Sequence, residues 1–301
     1  MLVYTFFSPI ARGALLKNPG PEYALAVTIV SRRRIYWILF ILSLALFAGA
    51  FVLSIPLFTA KAAPAFLKAA GAFKEAKVFG LTVNSASSSA AAVLATCLFS
   101  AVSLGYILFS FRKTVSPEIF FFSFWVLSLG CEAGRLLVFR FASEAVPVGW
   151  ILLASRAVFG ARILGLLCFF AAGLHAAGFR NEKLGSALGV ILVAGWALAE
   201  ALPFDTGVYE TTLALRSGFS TLSLGLACLT GLGVVANLAY ASFSSGEKSY
   251  KVVAMGASSA LLGQLLLLTR WYPLVLVLGV FLLFFGSWLF ISRLHAYYLW
   301  Q

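Results

Sequence analysis

Apolar residues occupy this chain in long blocks, separated by short polar stretches. A helix that is apolar all round is surrounded by lipid or by other helices. A spanning helix needs roughly 20 such residues. The pattern predicts eight of them, over 35–59, 87–111, 117–139, 147–178, 184–204, 212–243, 251–270 and 273–296. The expected fold class is therefore all-α: a polytopic membrane protein with one N-terminal anchor helix and a seven-helix bundle.

The breaks between blocks complete the outline. Residues 1–34 read as a cytoplasmic or interfacial leader ending in Arg32, Arg33 and Arg34. The first block, 35–59, precedes "AKAA", which resembles a signal-peptidase site. Its apolar run is longer than the 7–15 residues of a signal h-region, so a retained anchor is expected. Between 60 and 86, Phe66, Ala70 and Phe73 recur at helical spacing with lysines between them, which predicts an amphipathic helix on the outer surface. Residues 87–301 form the bundle. "SPE" before the third block reads as an N-cap (Ser116) followed by Pro117 at the first helical position and Glu118 in the first turn.

Composition agrees and narrows the function classes. The chain is 62% hydrophobic and 11% charged, against about 25% charged for a soluble domain. The net charge of +12 comes from Arg and Lys at the block edges, and no basic helix or finger motif accompanies it, so nucleic acid is not an expected partner. Cys97, Cys131, Cys168 and Cys228 all fall in apolar blocks without CxxC spacing, and only His175 and His295 are present. That pattern predicts no disulfide framework, no metal site and no cofactor. Walker, dinucleotide and redox motifs are absent from the sequence.

Two blocks share a signature. "RAVFGARILGLLC" (156–168) aligns without gaps with "RSGFSTLSLGLAC" (216–228), so that Arg, Phe, Leu, Gly, Leu and Cys coincide. "RWYPLVLVLG" (270–279) and "TCLFSAVSLG" (96–105) are fainter relatives. The returning blocks carry Glu132, Glu200 and Gln264 at comparable depth. The implied unit is a repeated helical hairpin, an organisation found in transporter folds. It predicts that Arg156 overlays Arg216 and Gly165 overlays Gly225. Chance is the competing account, because Leu and Gly are abundant in apolar helices.

Charge inside the blocks supplies the candidate chemistry: Glu132, Arg135, Arg156, Arg162, Glu200, Arg216, Gln264 and Arg270. An arginine at the bilayer centre costs about 2.5–3.5 kcal/mol on insertion scales. Three explanations compete: the arginines snorkel to headgroup level, hold an anion, or meet another subunit. Glu132 and Arg135 stand three apart on one helix face and can pair. Arg162 lies deepest and needs an internal partner, Glu132 or Glu200. "GASSALLG" (256–263) resembles the GxSGAxxG stretch of rhomboid intramembrane proteases, with Ser258 at the nucleophile position. Ser259 replaces the second glycine, and no histidine stands where that family keeps its base. Small residues at that spacing serve helix packing, and the expectation is against an enzyme.

The leading expectation is an integral transport or ligand-binding protein for a small anion or an anionic lipid, held in an arginine-lined outer cavity within the bilayer of a bacterial inner membrane. The alternative is a sensory or scaffolding subunit whose arginines meet a membrane or cytoplasmic partner. With both termini cytoplasmic, 12 of the 22 basic residues fall on the inner side, as the positive-inside rule requires. Lys61, Lys68, Lys74 and Lys77 in the first outer loop dissent. A phosphatase reporter fused at Gly80 should be active and one at Gly246 silent. The reverse result inverts the topology.

Overall fold

The computed structural model describes residues 21–59, 73–78, 81–111, 116–144, 146–179, 184–218, 220–245, 248–269 and 272–299. Nine helices and two small hairpins are found among them: α1 (Pro21–Thr59), β1 (Glu75–Val78), β2 (Leu81–Asn84), α2 (Ser85–Ser110), α3 (Pro117–Gly130), α4 (Gly134–Ser143), α5 (Val148–Ala176), α6 (Leu184–Ala201), β3 (Phe204–Tyr209), β4 (Leu215–Ser217), α7 (Ser220–Ser245), α8 (Lys248–Thr269) and α9 (Pro273–Leu299). A 3₁₀ turn, Cys131–Ala133, joins α3 to α4 into one span. Eight helical segments among the described residues are long and apolar enough to cross a bilayer. The fold is all-α and polytopic.

The helix starts follow local chemistry. Asn84 caps α2 by accepting from the Ser87 amide at 2.7 Å. Ser116 caps α3 by accepting from the Ile119 amide at 3.2 Å, with Pro117 and Glu118 in the first turn as the sequence implies. Within lipid, packing and shape rather than water expulsion hold helices together. Here α5 runs through the centre against α3, α4, α6 and α7, and α8 and α9 form a tight pair. The core is aromatic: Phe122 stacks on Phe290 at 4.4 Å, and Trp125 leans on Phe169 at 4.6 Å.

The first expected span lies within helix α1, which begins at Pro21, and residues 1–20 lie outside the described residues. The anchor packs along α2, with Tyr36, Leu39, Ala50 and Leu57 buried. Two expectations need correction. The end of the amphipathic stretch, Glu75–Val78, is strand β1 paired antiparallel with β2, while 60–72 lie outside the described residues. Finally, the sixth span, helix α7, starts at Ser220, not 212, because β3 and β4 pair antiparallel across 204–217 with a bulge between Asp205 and Tyr209. Thr206, Val208 and Tyr209 favour a strand, and Pro203 stops α6 before them.

That hairpin dissolves the proposed repeat. Arg156 stands inside helix α5, whereas Arg216 stands on strand β4 before α7 begins. The glycines part company too. A side chain at Gly165 would collide with the Ser128 hydroxyl of α3, while one at Gly225 would meet nothing within 4 Å. The shared letters therefore serve different environments. Replacing Gly165 with alanine should destabilise the detergent-solubilised protein by about 1–3 kcal/mol, through overpacking. Gly225→Ala should leave it unchanged or raise it by up to about 1 kcal/mol. Thermal unfolding of the two variants checks the contrast, which equal effects would refute.

Candidate functional site

The site begins with a break in a helix. At Cys131–Ala133 the third span tightens to 3₁₀ geometry, flanked by Gly130 and Gly134. Both glycines sit where a side chain would crowd a neighbour, Ser100 of α2 at Gly130 and Val158 of α5 at Gly134. The turn carries Glu132, whose side chain is fully buried between α4 and α5.

One carboxylate there serves two guanidiniums. Arg135 donates through Nε to Glu132 Oε2 at 2.6 Å. Arg162, from α5, donates through Nε to Oε1 at 2.6 Å and through Nη2 to Oε2 at 2.8 Å, a two-pronged grip. Such paired donors match carboxylate geometry and strengthen each other. Arg135 is 1% exposed, and Arg162 keeps 21% of its side chain accessible. The deepest arginine thus has the internal acidic partner that its cost demands, and of the two candidates the partner is Glu132.

The β3–β4 hairpin closes over this cluster. Arg135 donates a second time, from Nη1 to the Thr212 carbonyl at 3.0 Å. Ser89 of α2 donates to the Thr211 carbonyl at 2.7 Å. Between them the tip inserts Leu213, 2% exposed, among Ala50, Leu57, Val93, Leu136 and Phe139. Leu213 adopts φ 65°, a left-handed conformation that costs a non-glycine residue about 1–3 kcal/mol. Full burial of a leucine is worth about 1.5–3 kcal/mol, enough to hold it there. Glu210, at the same tip, accepts from the Thr212 hydroxyl at 3.3 Å, and its charge acts on both Arg135 and Arg162.

The remaining candidates are dispersed. Arg156 pairs with Glu200 at 2.7 Å on the partly exposed α5–α6 seam. Gln264 accepts from the Trp125 indole at 2.9 Å in the aromatic core. Arg216 is exposed on β4, its Cα in register with that of Asp205. Arg270 lies outside the described residues. Among the described candidates, Glu132, Arg135 and Arg162 form one hydrogen-bonded cluster, and Arg156 and Glu200 form a separate pair. Sequence reasoning missed Glu210, Thr212, Leu213 and Ser89; the turn residues around "PFDTGVYE" were the available signal. Ser258 donates to the Ala254 carbonyl of its own helix at 2.9 Å and His175 stacks on Phe121, so nothing among the described residues sets that serine up as a nucleophile. No group of three or more His, Cys, Asp or Glu among the described residues is placed to hold a metal ion.

The two ion-pair systems should respond very differently to loss of their acid. Glu132→Ala leaves two guanidiniums without their shared counter-charge, and removing one partner of a buried pair costs about 3–5 kcal/mol. Glu200→Ala exposes one side of a solvent-accessible pair, worth about 0–1 kcal/mol. Thermal unfolding in detergent should separate them clearly, and similar losses would show that the Glu132 cluster is not the buried keystone. Compared with protein-family models, curated proteins and solved structures, the chain has no match in any of the three.

Proposed function

We propose that this chain is an integral membrane transport or ligand-binding protein for a small anion or an anionic lipid, and that Arg135 and Arg162 supply its positive charge. One observation carries the reading. Two guanidiniums share a single buried carboxylate, and Arg135 Nη2 is buried with no hydrogen-bond partner among the described residues. A structural ion pair needs one charge of each sign. Each surplus buried ion costs several kcal/mol, of order 3–5 when its partner is missing. A surplus cation with an idle donor is the chemistry of an anion site, where guanidinium grips carboxylate or phosphate with two parallel bonds.

Access favours the same reading. Arg162 keeps a fifth of its side chain exposed while its partner Glu132 is sealed, so the cluster has an open flank. Intramembrane ionisable residues generally mark ligand or ion paths. In this proposal the membrane is a bacterial inner membrane, both termini are cytoplasmic and the hairpins lie on the outer side, so the anion reaches the cluster from outside.

The test is binding to the purified protein in lipid nanodiscs, with a panel of small carboxylates, inorganic phosphate and phosphatidylglycerol. Arg162→Leu should abolish binding of whichever anion the wild type takes. Arg135→Lys should keep the charge but lose the Nη1–Nη2 edge, weakening binding about 10-fold. If the wild type takes none of these anions, or the leucine variant binds them equally well, the reading falls.

A further inference from the structure

The same cluster says which anion fits, and this inference rests on the anion-site reading. We propose that the site takes a single carboxylate group, and that Glu210 at the β3–β4 tip is the tethered counter-ion which that carboxylate replaces. Charge is the first argument. Glu132, Arg135 and Arg162 together carry one net positive charge, and Glu210 supplies one negative charge from the hairpin that covers them. A monoanion taking the place of Glu210 leaves the interior neutral. Inorganic phosphate near neutral pH brings more than one charge and does not.

Donor geometry is the second argument. Glu132 already occupies the Nε of Arg135 and both the Nε and Nη2 of Arg162. What remains on Arg135 is its far edge: Nη1, held by the Thr212 carbonyl at 3.0 Å, and Nη2, buried without a partner among the described residues. Withdrawal of the tip frees Nη1 beside the idle Nη2. Two adjacent N–H donors then face outward together, spaced to match the two oxygens of one carboxylate.

The hairpin is built to make that exchange. Its base is pinned where the Gly218 amide donates to the Pro203 carbonyl at 2.8 Å. Outside the hairpin's own hydrogen bonds, its tip is held by the Ser89 and Arg135 hydrogen bonds to two backbone carbonyls and by Leu213, left-handed in its buried pocket. The tip can therefore leave without unpairing the base, taking Glu210 with it. A carboxylate arriving from water and one carried on a lipid chain satisfy the same donors, and the test distinguishes them.

Affinities for butyrate, oleate and inorganic phosphate are measured on the full chain in phosphatidylcholine nanodiscs. The wild type should bind butyrate, oleate or both, and phosphate more weakly: butyrate alone marks an aqueous source, oleate alone a membrane source. Glu210→Gln keeps the Thr212 hydrogen bond but removes the competing charge, so it should tighten carboxylate binding about 10-fold. Leu213→Gly leaves every charge in place while emptying the pocket that holds the tip, and should tighten binding in the same direction. If both variants bind carboxylates no better than the wild type, or phosphate binds as well as the carboxylates, the proposal is overturned while the anion-site reading stands. If none of the three probes nor phosphatidylglycerol binds, both fall together.

Discussion

A carboxylate shared between two guanidiniums is the constraint to which the rest of this bundle is fitted. Glu132 lies on a 3₁₀ interruption of the third span, and it is grasped from its own side by Arg135 and from the central helix by Arg162. Neither arginine can be stranded at that depth without a cost of several kcal/mol, about what a buried pair loses when one partner goes. The two spans must therefore meet at this level and at this rotation. Gly134 admits Val158 just beside the cluster, and Gly165 admits Ser128 a little beyond it. Small residues let the backbones approach, and the charges fix the register of that approach.

The β3–β4 hairpin answers a different constraint. Backbone amides and carbonyls buried away from water need a partner, and at the tip they find one. The carbonyls of Thr211 and Thr212 are satisfied by Ser89 and Arg135, and Thr212 and Leu213 are almost fully covered. The same bonds that seal the charge cluster also solve the hairpin's own backbone problem, so the two features stabilise one another.

How much of this was legible in the sequence depends on the range of the interaction. The spans were, because each is a local hydropathy block ending at polar residues or a cap such as Ser116. The Glu132–Arg135 pair was, because three residues along a helix is one face. The acidic partner of Arg162 followed from the cost of leaving a deep arginine unpaired. The hairpin was not, since the apolar run from Leu213 onward passes for helix, and only the distant pocket of α1, α2 and α4 makes Leu213 a plug. Nor was the false repeat detectable from its letters: Arg-x-x-Phe before Leu-Gly reads alike on a buried central helix and on a strand leading into a peripheral one. Gln264 looked like a ligand residue by its depth, and Trp125 claims it through a contact 139 positions away.

The last two helices carry a mechanical consequence. At Gly256, Gly263 and Gly286 a side chain would run into the backbone of the opposite helix, and Ser259 donates across the seam to the Leu282 carbonyl at 3.0 Å. No lipid chain or side chain separates them, so α8 and α9 behave as one thick stave. Any rearrangement of the bundle carries that stave as a single body.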